Sequence, residues 1–340
     1  MSSIKVGILG ATGYTGVELI KLLKKHPHVI LTFVSSQSYA DKKISEVFPE
    51  LKSLCDDILL SPENAITQTV DCVFSCLPHA ASALLCKPLI DKGVRIIDLS
   101  ADFRIRDVSV YEKWYNTRHP FPELLEEAVF GLPEHYRDKI KTARILANPG
   151  CYSSSIMLPL IPILKKKGFQ ISNIIADSKS GVSGAGRSLK LSSHFVEAHD
   201  NFTAYSIGRK HRHVAEIDQE LTIACGKKTE ITFSPHLVPI NRGILSTIYL
   251  TGSANAAECL DILKTNYKNE PFIRVREPDD LPSVHDVAYT NFCDMSVTGG
   301  IDGQPVIVVS AIDNLLKGAS GQALQNMNIM YGFEETTALP

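Results

Sequence analysis

The chain has 340 residues, of which 44% are hydrophobic and 21% charged, a composition typical of a globular protein of about two domains. The formal net charge is −2 and the sequence pI is about 6.6, so the chain lacks the broad basic surface that binds a nucleic-acid backbone. No run approaches the ~20 apolar residues of a membrane span, and Met1–Lys5 lead into a strand without the apolar core of a signal peptide. We therefore expect a cytoplasmic protein whose partners are neither nucleic acid nor membrane.

The first 150 residues alternate between strand and helix patterns. IKVGIL at 4–9 is a strand-like run followed by glycine, and VELIKLLKKH at 17–26 has apolar residues at helical spacing with lysines on the other side. Further strand-like runs lie at 29–34, 71–77, 95–100 and 144–148, and a helical pattern lies at 81–93. This alternation predicts a Rossmann-type, doubly wound parallel sheet covered by helices on both faces.

After residue 150 the pattern changes. Strand-like runs at 174–180, 230–240, 244–252, 272–277 and 304–312 include neighbours on short connections, which favour antiparallel pairing. Residues 314–332 are predicted to be helical, and this last helix is expected to pack on the first domain. The predicted fold class is thus α/β, with a Rossmann-type domain and an α+β catalytic and dimerisation domain whose sheet is mixed and largely antiparallel.

Three glycines spaced three apart, Gly10, Gly13 and Gly16, lie between the first strand and the first helix. Glycines there let the backbone approach a pyrophosphate, whose charge meets the free N–H groups at the helix start. The pattern is GxxGxxG rather than GxGxxG, and a simple tight turn is the alternative, but the strand–loop–helix context favours a dinucleotide site. The remaining loop residues expected to line it are Thr12, Tyr14 and Thr15.

The end of the second predicted strand indicates which dinucleotide is bound. An NAD site usually has an acidic residue there for the ribose hydroxyl, whereas this chain has Ser35 and Ser36, followed by Lys42 and Lys43. Hydroxyl groups and cations suit a 2′-phosphate, which a carboxylate would repel. We therefore predict NADP(H) as the cofactor.

The segment NPGCY places Cys151 directly after a Pro-Gly turn, where the next helix is expected to begin. The partial positive charge of a helix N-terminus lowers the pKa of a thiol, and the thiolate is the reactive form. Free N–H groups at the same terminus can also stabilise an oxyanion. Pro159 and Pro162 indicate that this helix is kinked or short. We interpret Cys151 as a nucleophile, and the alternative is a buried structural cysteine.

The other cysteines show no functional pattern. The eight are scattered, with no CxxC pair and no spacing typical of a zinc module, so we expect no metal site and a reducing compartment. Cys72 and Cys76, inside the apolar segment DCVFSCLP, fit small buried hydrophobic residues.

A nucleophilic thiol needs a proton acceptor, and the segment GRKHRHVAEIDQEL at 208–221 offers two histidines before a predicted helix. His213 lies nearer the buried face of that helix than His211, and Glu216 is three residues further on, within reach to orient its ring. We prefer His213 as the base and keep His211 as the alternative.

Several cations are candidates for binding an anionic substrate. A guanidinium group recognises phosphate and carboxylate with paired hydrogen bonds, which makes Arg104 and Arg187 candidates. Arg187 ends the glycine-rich segment SGVSGAGR, which is equally typical of a flexible turn. Lys210, between Arg209 and Arg212, adds positive charge, although such a run is as often a solvated face.

Eight segments together resemble the N-acetyl-γ-glutamyl-phosphate reductases of arginine biosynthesis, a branch of the aspartate-semialdehyde dehydrogenase superfamily. They are GATGYTGVEL (10–19), SADFR (100–104), FGLPE (130–134), ANPGCY (147–152), SGVSGAGR (180–187), KHRHVAEI (210–217), PHLVPINRG (235–243) and DNLLKGASGQALQNMN (313–328). The resemblance implies NADPH-dependent reduction of a small-molecule acyl phosphate to an aldehyde, with Cys151 as the nucleophile and a histidine of the HRH segment as acid and base.

The resemblance also implies where other residues lie. Leu77, Pro78 and Asn314 are expected to contact the cofactor, and an arginine matching Arg104 grips the phosphate in the related aspartate-semialdehyde enzymes. Ser153 stands where a proline often follows the Cys-Tyr pair. The implied domains are residues 1–149 with 313–340 for NADP binding, and residues 150–312 for catalysis and substrate binding. Relatives suggest a homodimer or a homotetramer.

Two other functions remain open from the sequence. A sister acyl-phosphate reductase, acting on an aspartyl or carrier-bound glutamyl or aminoadipyl group, would share these motifs, because pocket shape selects the substrate. An NADP-binding regulatory protein would retain the fold without the chemistry, although the presence of Cys151 together with HRH argues against it. The oligomeric state and any domain closure are also left open.

Overall fold

The computed structural model describes residues 3–301 and 303–340; Met1 and Ser2, at the start of the predicted first domain, and Asp302 lie outside the described residues. The strands are β1 Ile4–Leu9, β2 Val29–Ser35, β3 Leu59–Leu60, β4 Cys72–Ser75, β5 Arg95–Asp98, β6 Val129–Phe130, β7 Ile145–Ala147, β8 Ile171–Gly181, β9 Thr203–Ala204, β10 Thr232–Val238, β11 Ile244–Gly252, β12 Ile273–Val275, β13 Cys293–Gly299 and β14 Val306–Ile312. The α-helices are α1 Tyr14–Leu23, α2 Ile44–Val47, α3 Pro62–Ala65, α4 Ser82–Asp91, α5 Val108–Tyr115, α6 Leu124–Glu127, α7 Pro133–Thr142, α8 Cys151–Lys165, α9 Phe195–Ala198, α10 His213–Cys225, α11 Ala256–Tyr267, α12 Val284–Val287 and α13 Gly321–Tyr331. In the described part of the chain, none of these helices has the length and apolarity that crossing a membrane requires.

The chain folds into two compact units. The first consists of Met1–Pro149 and Ala319–Pro340, and the second of Gly150–Gly318. Residues 313–318, which the sequence places with the first domain, group with the second unit in the structure.

The first unit is built on a parallel sheet with the strand order β3-β2-β1-β4-β5-β7-β6. Neighbouring strands in this sheet pair in parallel, as the alternation of strands and helices predicts. The central strands are buried on both faces, which is why they consist of nearly continuous apolar residues. The Rossmann-type sheet expected from the sequence is confirmed.

The C-terminal helix α13 packs on α1 and α7 of the first unit. Polar side chains fix its position: Ser320 Oγ donates to Thr15 O at 2.8 Å, and Asn326 Nδ2 donates to Gly131 O at 2.9 Å. Asn328 Oδ1 lies 2.9 Å from His26 Nε2. Buried amides of this kind are satisfied only in one register, so they set where the helix lies along its neighbours.

The second unit contains a mixed sheet with the strand order β12-β13-β14-β11-β8-β10-β9. The pairs β8–β11, β11–β14, β13–β14 and β9–β10 are antiparallel, whereas β8–β10 and β12–β13 are parallel. This is the mixed, largely antiparallel sheet that the sequence predicts.

Helix α8 forms the core of the second unit, packed against β11, β14, α10 and α11. All its residues from Tyr152 to Leu164 are buried, which matches a helix that is apolar around its whole circumference. Small hydroxyl residues let it approach the sheet: Ser246 Oγ lies 2.7 Å from both Ser155 Oγ and Ser178 Oγ.

Helix α8 was predicted to be kinked or short, and it is not short, because it runs for 15 residues with Pro159 and Pro162 inside it. Proline at position 162 removes the N–H that would bond to the carbonyl of Leu158, four residues earlier. Tyr267 of α11 supplies the missing donor, since its hydroxyl donates to Leu158 O. Tertiary packing and this hydroxyl thus sustain a helix that local sequence disfavours.

Candidate active site

The glycines between β1 and the first turn of α1 serve two purposes. Two of them are required by close backbone contacts, and one leaves open space beside the helix N-terminus. Gly10 has φ +78°, and a Cβ there would lie 2.7 Å from Cys76 O; a Cβ at Gly16 would lie 2.6 Å from Ala11 O. At Gly13, the N-cap residue of α1, a Cβ would meet only Gly10 O, at 3.8 Å. The space beside Gly13, at a helix N-terminus, fits the phosphates of a dinucleotide.

The end of β2 is tied to this loop by hydroxyl groups. Gly10 N–H donates to Ser35 Oγ at 3.4 Å, and Thr12 Oγ1 lies 2.9 Å from Ser36 Oγ. Both serines are buried, while Lys42 and Lys43 are exposed further along. The structure therefore brings Ser35 and Ser36 to the glycine loop, with hydroxyl groups where an NAD site usually has a carboxylate.

The loop after β4 lies beside the same glycines. A Cβ at Gly10 would be 3.3 Å from Leu77 Cδ2, and Pro78 follows in that loop. Strands β1 and β4 are adjacent, and the chain connects away from them on opposite sides, to β2 and to β5. In open parallel sheets, ligands bind in the crevice at such a switch point, and the loop of Leu77 and Pro78 follows one of the two strands there.

Asn314, the other residue expected at the cofactor, belongs to the second unit. Its side chain is buried, its Oδ1 accepts from Gly243 N–H at 2.6 Å, and its Nδ2 donates to Ser183 Oγ at 2.9 Å. Both ends of the amide therefore hold loops of the second unit together.

Cys151 is the first residue of α8 and is half-buried. Gly150 is the N-cap residue, and the first helical bond runs from Ser154 N–H to Gly150 O at 2.9 Å, so the N–H groups of Cys151, Tyr152 and Ser153 precede the helical ladder. The first turn contains no acidic residue. The thiol predicted at a helix N-terminus therefore lies there, where the helix dipole favours an anion.

His213 and Glu216 pack against the backbone immediately before this thiol. A Cβ at Gly150 would lie 2.4 Å from His213 Nε2 and 2.6 Å from Glu216 Oε1. Glu216 Oε2 accepts from Gly150 N–H at 3.3 Å, and the distance from His213 Nε2 to Glu216 Oε1 is 3.9 Å. Only glycine leaves room for this imidazole–carboxylate pair at position 150.

His211 is in a different chemical situation. Its Nδ1 accepts from the backbone N–H of His213 at 3.1 Å, and its ring contacts Tyr152 and Phe233 edge-on. Burial, and then the charge of Arg212, lowers the pKa of His211 to about 4. The ring is thus neutral at pH 7, with its proton on Nε2 and its acceptor nitrogen already engaged.

Two residues near the thiol were missed in the sequence. Tyr205 Oη donates to Tyr152 Oη at 3.1 Å, and Tyr152 Oη donates to His236 O at 3.1 Å. Burial raises the pKa of both phenols, so they remain protonated hydrogen-bond donors. Tyr152 could have been found by its position beside Cys151, whereas Tyr205 has no local signal.

A third missed residue is Gly318, in a π-helical turn over Leu316–Ser320. A Cβ at Gly318 would lie 2.7 Å from Cys151 Cβ. This glycine lies in the segment KGASG, and its close approach to Cys151 depends on a turn that sequence patterns do not show.

The candidate substrate cations differ in their surroundings. Arg104 is buried in the first unit, where its Nε donates to Asn148 O at 2.7 Å and its Nη2 to Leu99 O at 2.8 Å. Arg187 is half-buried after a 3₁₀ turn over Val182–Ala185, and Lys210 is exposed. At least two donors of Arg104 are therefore directed at backbone carbonyls.

None of the described residues forms a group of three or more His, Cys, Asp or Glu side chains suited to a metal ion. All eight cysteines are thiols rather than disulfides. The chemistry that these residues offer is that of a thiol with an adjacent imidazole, in a protein with a dinucleotide loop.

Comparisons with known proteins agree with this arrangement. A family model described as "Semialdehyde dehydrogenase, NAD binding domain" matches residues 5–143, and one described as "Semialdehyde dehydrogenase, dimerisation domain" matches residues 151–314. Aspartate semialdehyde dehydrogenase II from Vibrio cholerae, solved with ASA, has a TM-score of 0.73 at 17% identity, covering 98% of this chain and 99% of that one. The Candida albicans aspartate semialdehyde dehydrogenase with NADP has a TM-score of 0.71 at 18% identity, covering 97% and 99%. These two likenesses show the fold.

Relatives of higher identity show the family. The N-acetyl-gamma-glutamyl-phosphate reductase of Geobacter metallireducens is 49% identical over 339 residues, which are 99% of this chain and 98% of the relative. The enzyme of that name from Magnetococcus marinus is 46% identical, covering 99% and 97%. The predicted resemblance is confirmed, and the chain belongs to the N-acetyl-gamma-glutamyl-phosphate reductase family of the semialdehyde dehydrogenases.

Proposed function

We propose that this protein reduces N-acetyl-γ-glutamyl phosphate to N-acetylglutamate semialdehyde and phosphate with NADPH, as a step of arginine biosynthesis. Near-full-length relatives bear the name of this reductase. The proposal rests on the arrangement of side chains at the start of α8. Cys151 is the first residue of that helix, and His213 and Glu216 pack against the glycine before it.

Cys151 acts as the nucleophile in this proposal. Its thiolate attacks the carbonyl carbon of the acyl phosphate, phosphate leaves with the bonding electron pair, and a thioester forms on Sγ. The N-terminus of α8 favours the thiolate over the thiol, and N–H groups at a helix N-terminus can stabilise an oxyanion. Bound NADPH supplies the hydride that reduces the thioester to the level of a thiohemiacetal.

His213 acts as acid and base. It accepts the thiol proton in the first step, and it returns that proton to Sγ as the tetrahedral adduct collapses to the aldehyde and expels the sulfur of Cys151. Glu216 Oε1, 3.9 Å from His213 Nε2, orients the ring. His211, neutral and engaged through Nδ1, supports His213 by holding its backbone N–H.

The cofactor is assigned to the residues that the sequence predicts to bind it. The residues proposed to bind it are Gly10, Thr12, Gly13, Tyr14, Thr15, Gly16, Ser35, Ser36, Leu77, Pro78 and Asn314. The hydroxyl groups at the end of β2 support NADPH over NADH, and a lower KM for NADPH than for NADH checks this assignment.

The anionic groups of the substrate are assigned to Arg104, Arg187 and Lys210. Guanidinium groups bind phosphate and carboxylate with paired hydrogen bonds, which supports the two arginines. Arg104 Nε and Nη2 also donate to Asn148 O and Leu99 O, which fixes the direction of the guanidinium group.

The reaction is best tested in reverse. Purified protein is supplied with N-acetylglutamate semialdehyde, inorganic phosphate and NADP⁺, and NADPH is followed by its absorbance. We expect phosphate-dependent NADPH formation, with much lower kcat/KM for aspartate semialdehyde. Preference for aspartate semialdehyde would favour a sister reductase. Cofactor binding without turnover, together with a Cys151 that iodoacetamide alkylates no faster than a free thiol, would favour a regulatory protein.

We further propose that the protein is a cytoplasmic homodimer or homotetramer. The scattered spacing of its eight cysteines supports a reducing compartment. The second unit exposes an apolar segment, residues 189–207, in which Leu189, Leu191, Phe195, Val196 and Phe202 are exposed. Phe202, just before the edge strand β9, also lies near His236 of β10, with ring centroids 5.3 Å apart and tilted ring planes. An apolar surface of this kind, in a unit that matches a dimerisation domain, fits a second copy of the chain.

A further inference from the structure

The loop between β4 and α4, residues 76–81, contains a strained residue and gives no side-chain cap to the helix that follows it. Ala80 has φ +66°, a left-handed conformation that costs energy for a residue with a Cβ. Helix α4 has Ala81 as its N-cap residue, and that residue offers no side-chain hydrogen bond to the first turn. The loop therefore needs an anchor from elsewhere in the chain.

Asp102 provides that anchor. Its Oδ1 accepts from Ala80 N–H at 2.8 Å, and its Oδ2 accepts from Ala83 N–H at 3.0 Å. One carboxylate thus holds the strained residue and replaces the missing N-cap of α4, some twenty residues away in sequence. Its negative charge also lies at the N-terminus of a ten-residue helix, where the helix dipole favours it.

Asp102 is itself held rigidly. Its side chain is buried, and Tyr111 Oη donates to Oδ1 at 2.9 Å. Its backbone is fixed on both sides, because its N–H donates to Ser100 Oγ at 3.1 Å and its carbonyl lies 2.8 Å from His119 Nε2. Because this buried carboxylate cannot move, the loop that is hydrogen-bonded to it is held in one position.

The anchored loop borders the dinucleotide crevice. Cys76 O would lie 2.7 Å from a Cβ at Gly10, and Leu77 Cδ2 would lie 3.3 Å from it. The loop thus packs directly on the glycine loop between β1 and α1, at the switch point of the sheet. A shift of a few tenths of an ångström at Ala80 would change the crevice wall that Leu77 and Pro78 form.

We propose that Asp102 is a positioning residue for NADPH binding, which holds the loop 76–81 against Gly10 and thereby sets the shape of the cofactor crevice. The proposal rests on the proposed function in that it takes NADPH as the crevice's ligand. Asp102 reaches the cofactor only through the loop, and its removal affects cofactor affinity more than chemistry at saturating cofactor.

The test compares Asp102→Asn with Asp107→Asn. Asp107 is the matched control, because it caps α5 of the same unit, accepting from Ser109 N–H at 2.8 Å and Val110 N–H at 3.3 Å. Both variants replace a helix-capping carboxylate by an amide, but only Asp102 holds a crevice loop. Direct titration of the full-length protein with NADPH, by fluorescence, gives Kd, and steady-state assays give KM and kcat.

For Asp102→Asn we expect the Kd for NADPH to rise about tenfold or more, while kcat at saturating NADPH changes by less than about threefold. Asp107→Asn should leave Kd unchanged even where it lowers Tm. Equal Kd values for wild type and Asp102→Asn would overturn the proposal, as would an equal rise in both variants. Failure of the wild type to bind NADPH would count against the proposed function instead.

A second, milder variant tests the same proposal if Asp102→Asn is too unstable to assay. Tyr111→Phe removes only the hydroxyl that donates to Asp102 Oδ1, so the carboxylate remains. We expect a smaller rise in Kd for NADPH, of roughly two- to fivefold, with kcat unchanged. If Asp102→Asn does not fold, an unchanged Kd in Tyr111→Phe would overturn the proposal.

Discussion

The positions of Cys151 and His213 depend on two neighbouring glycines that have no Cβ to collide with them. A Cβ at Gly150 would collide with His213 and Glu216, and one at Gly318 would collide with Cys151 Cβ. The thiol therefore lies between two backbone segments that approach more closely than any other residue type allows. This close packing fixes the sulfur and the imidazole on the same short stretch of backbone.

Replacement of Cys151 by serine should abolish the reduction, because a hydroxyl is a far poorer nucleophile than a thiolate at neutral pH. We expect kcat to fall by roughly a thousandfold or more. The Kd for NADPH, measured by fluorescence titration, should stay unchanged, since other residues form the dinucleotide crevice. Substantial turnover by Cys151→Ser would exclude the thioester route.

The two histidines should respond differently to substitution by asparagine. Loss of an acid and base typically lowers kcat by about 10²–10⁴-fold, which we expect for His213→Asn. His211→Asn should lower kcat by roughly tenfold or less, because the neutral His211 ring acts only through the backbone N–H of His213. Similar mild losses in both variants would show that neither histidine is the base.

The lowered pKa of His211 makes the stability of the protein depend on pH. Its pKa is about 4 in the folded protein against 6.5 in the reference state, so the unfolded chain binds more protons between these values. Stability should therefore fall as the pH falls from about 6.5 to about 4, by up to roughly 3 kcal/mol from this residue. His211→Asn should show a shallower decline over that range in urea titrations; an unchanged decline would contradict the assignment.

At the scale of elements, α8 persists because another helix completes its hydrogen bonding. Tyr267→Phe removes the donor to Leu158 O and should cost about 1–2 kcal/mol of unfolding free energy. In a Pro162→Ala background the backbone N–H at position 162 can bond to Leu158 O instead, so the same change should cost much less. A double-mutant cycle in urea measures this difference, and additive effects would disprove the exchange of donors.

The elements that sequence predicted best are those whose signal is local. Strand β11 has the predicted bounds, and its alternating burial follows its apolar pattern. Strand β13 was missed because Asp294 and Ser296 interrupt its apolar run, although both are buried. The charge of Asp294 is met by Arg274 and Arg276, on and just after strand β12, and no local pattern reveals such a pairing.

The same distinction applies to the candidate site. The placement of Cys151 at a helix start, and of Glu216 three residues after His213, follows from helix geometry alone. The contact of Arg104 with Asn148 O joins residues 44 apart, so the sequence, which indicates Arg104 as a candidate for binding the substrate's anionic groups, does not reveal it. Tertiary contacts decide what such a side chain binds, and they depend on the packing of the whole sheet.

At the scale of the whole molecule, the apolar segment 189–207 predicts self-association through the second unit. Phe195 and Val196 are each 73% exposed, and glutamates at both positions would place negative charges in the proposed interface. We expect Phe195→Glu with Val196→Glu to shift the assembly toward smaller species in sedimentation velocity experiments. Leu84→Glu, at a 55% exposed position on α4 of the first unit, is the control and should leave the assembly unchanged. A monomeric wild type, or an unaffected double variant, would contradict the proposed interface.

The hydrogen bond from the Tyr267 hydroxyl to Leu158 O makes the residue at position 267 depend on the residue at position 162. Where a relative carries proline at position 162, selection is expected to retain tyrosine at position 267, since losing it would strand a buried carbonyl. Where position 162 regains an amide, phenylalanine at 267 becomes nearly neutral. The two columns should therefore covary across homologues, as a structural dependency that owes nothing to catalysis.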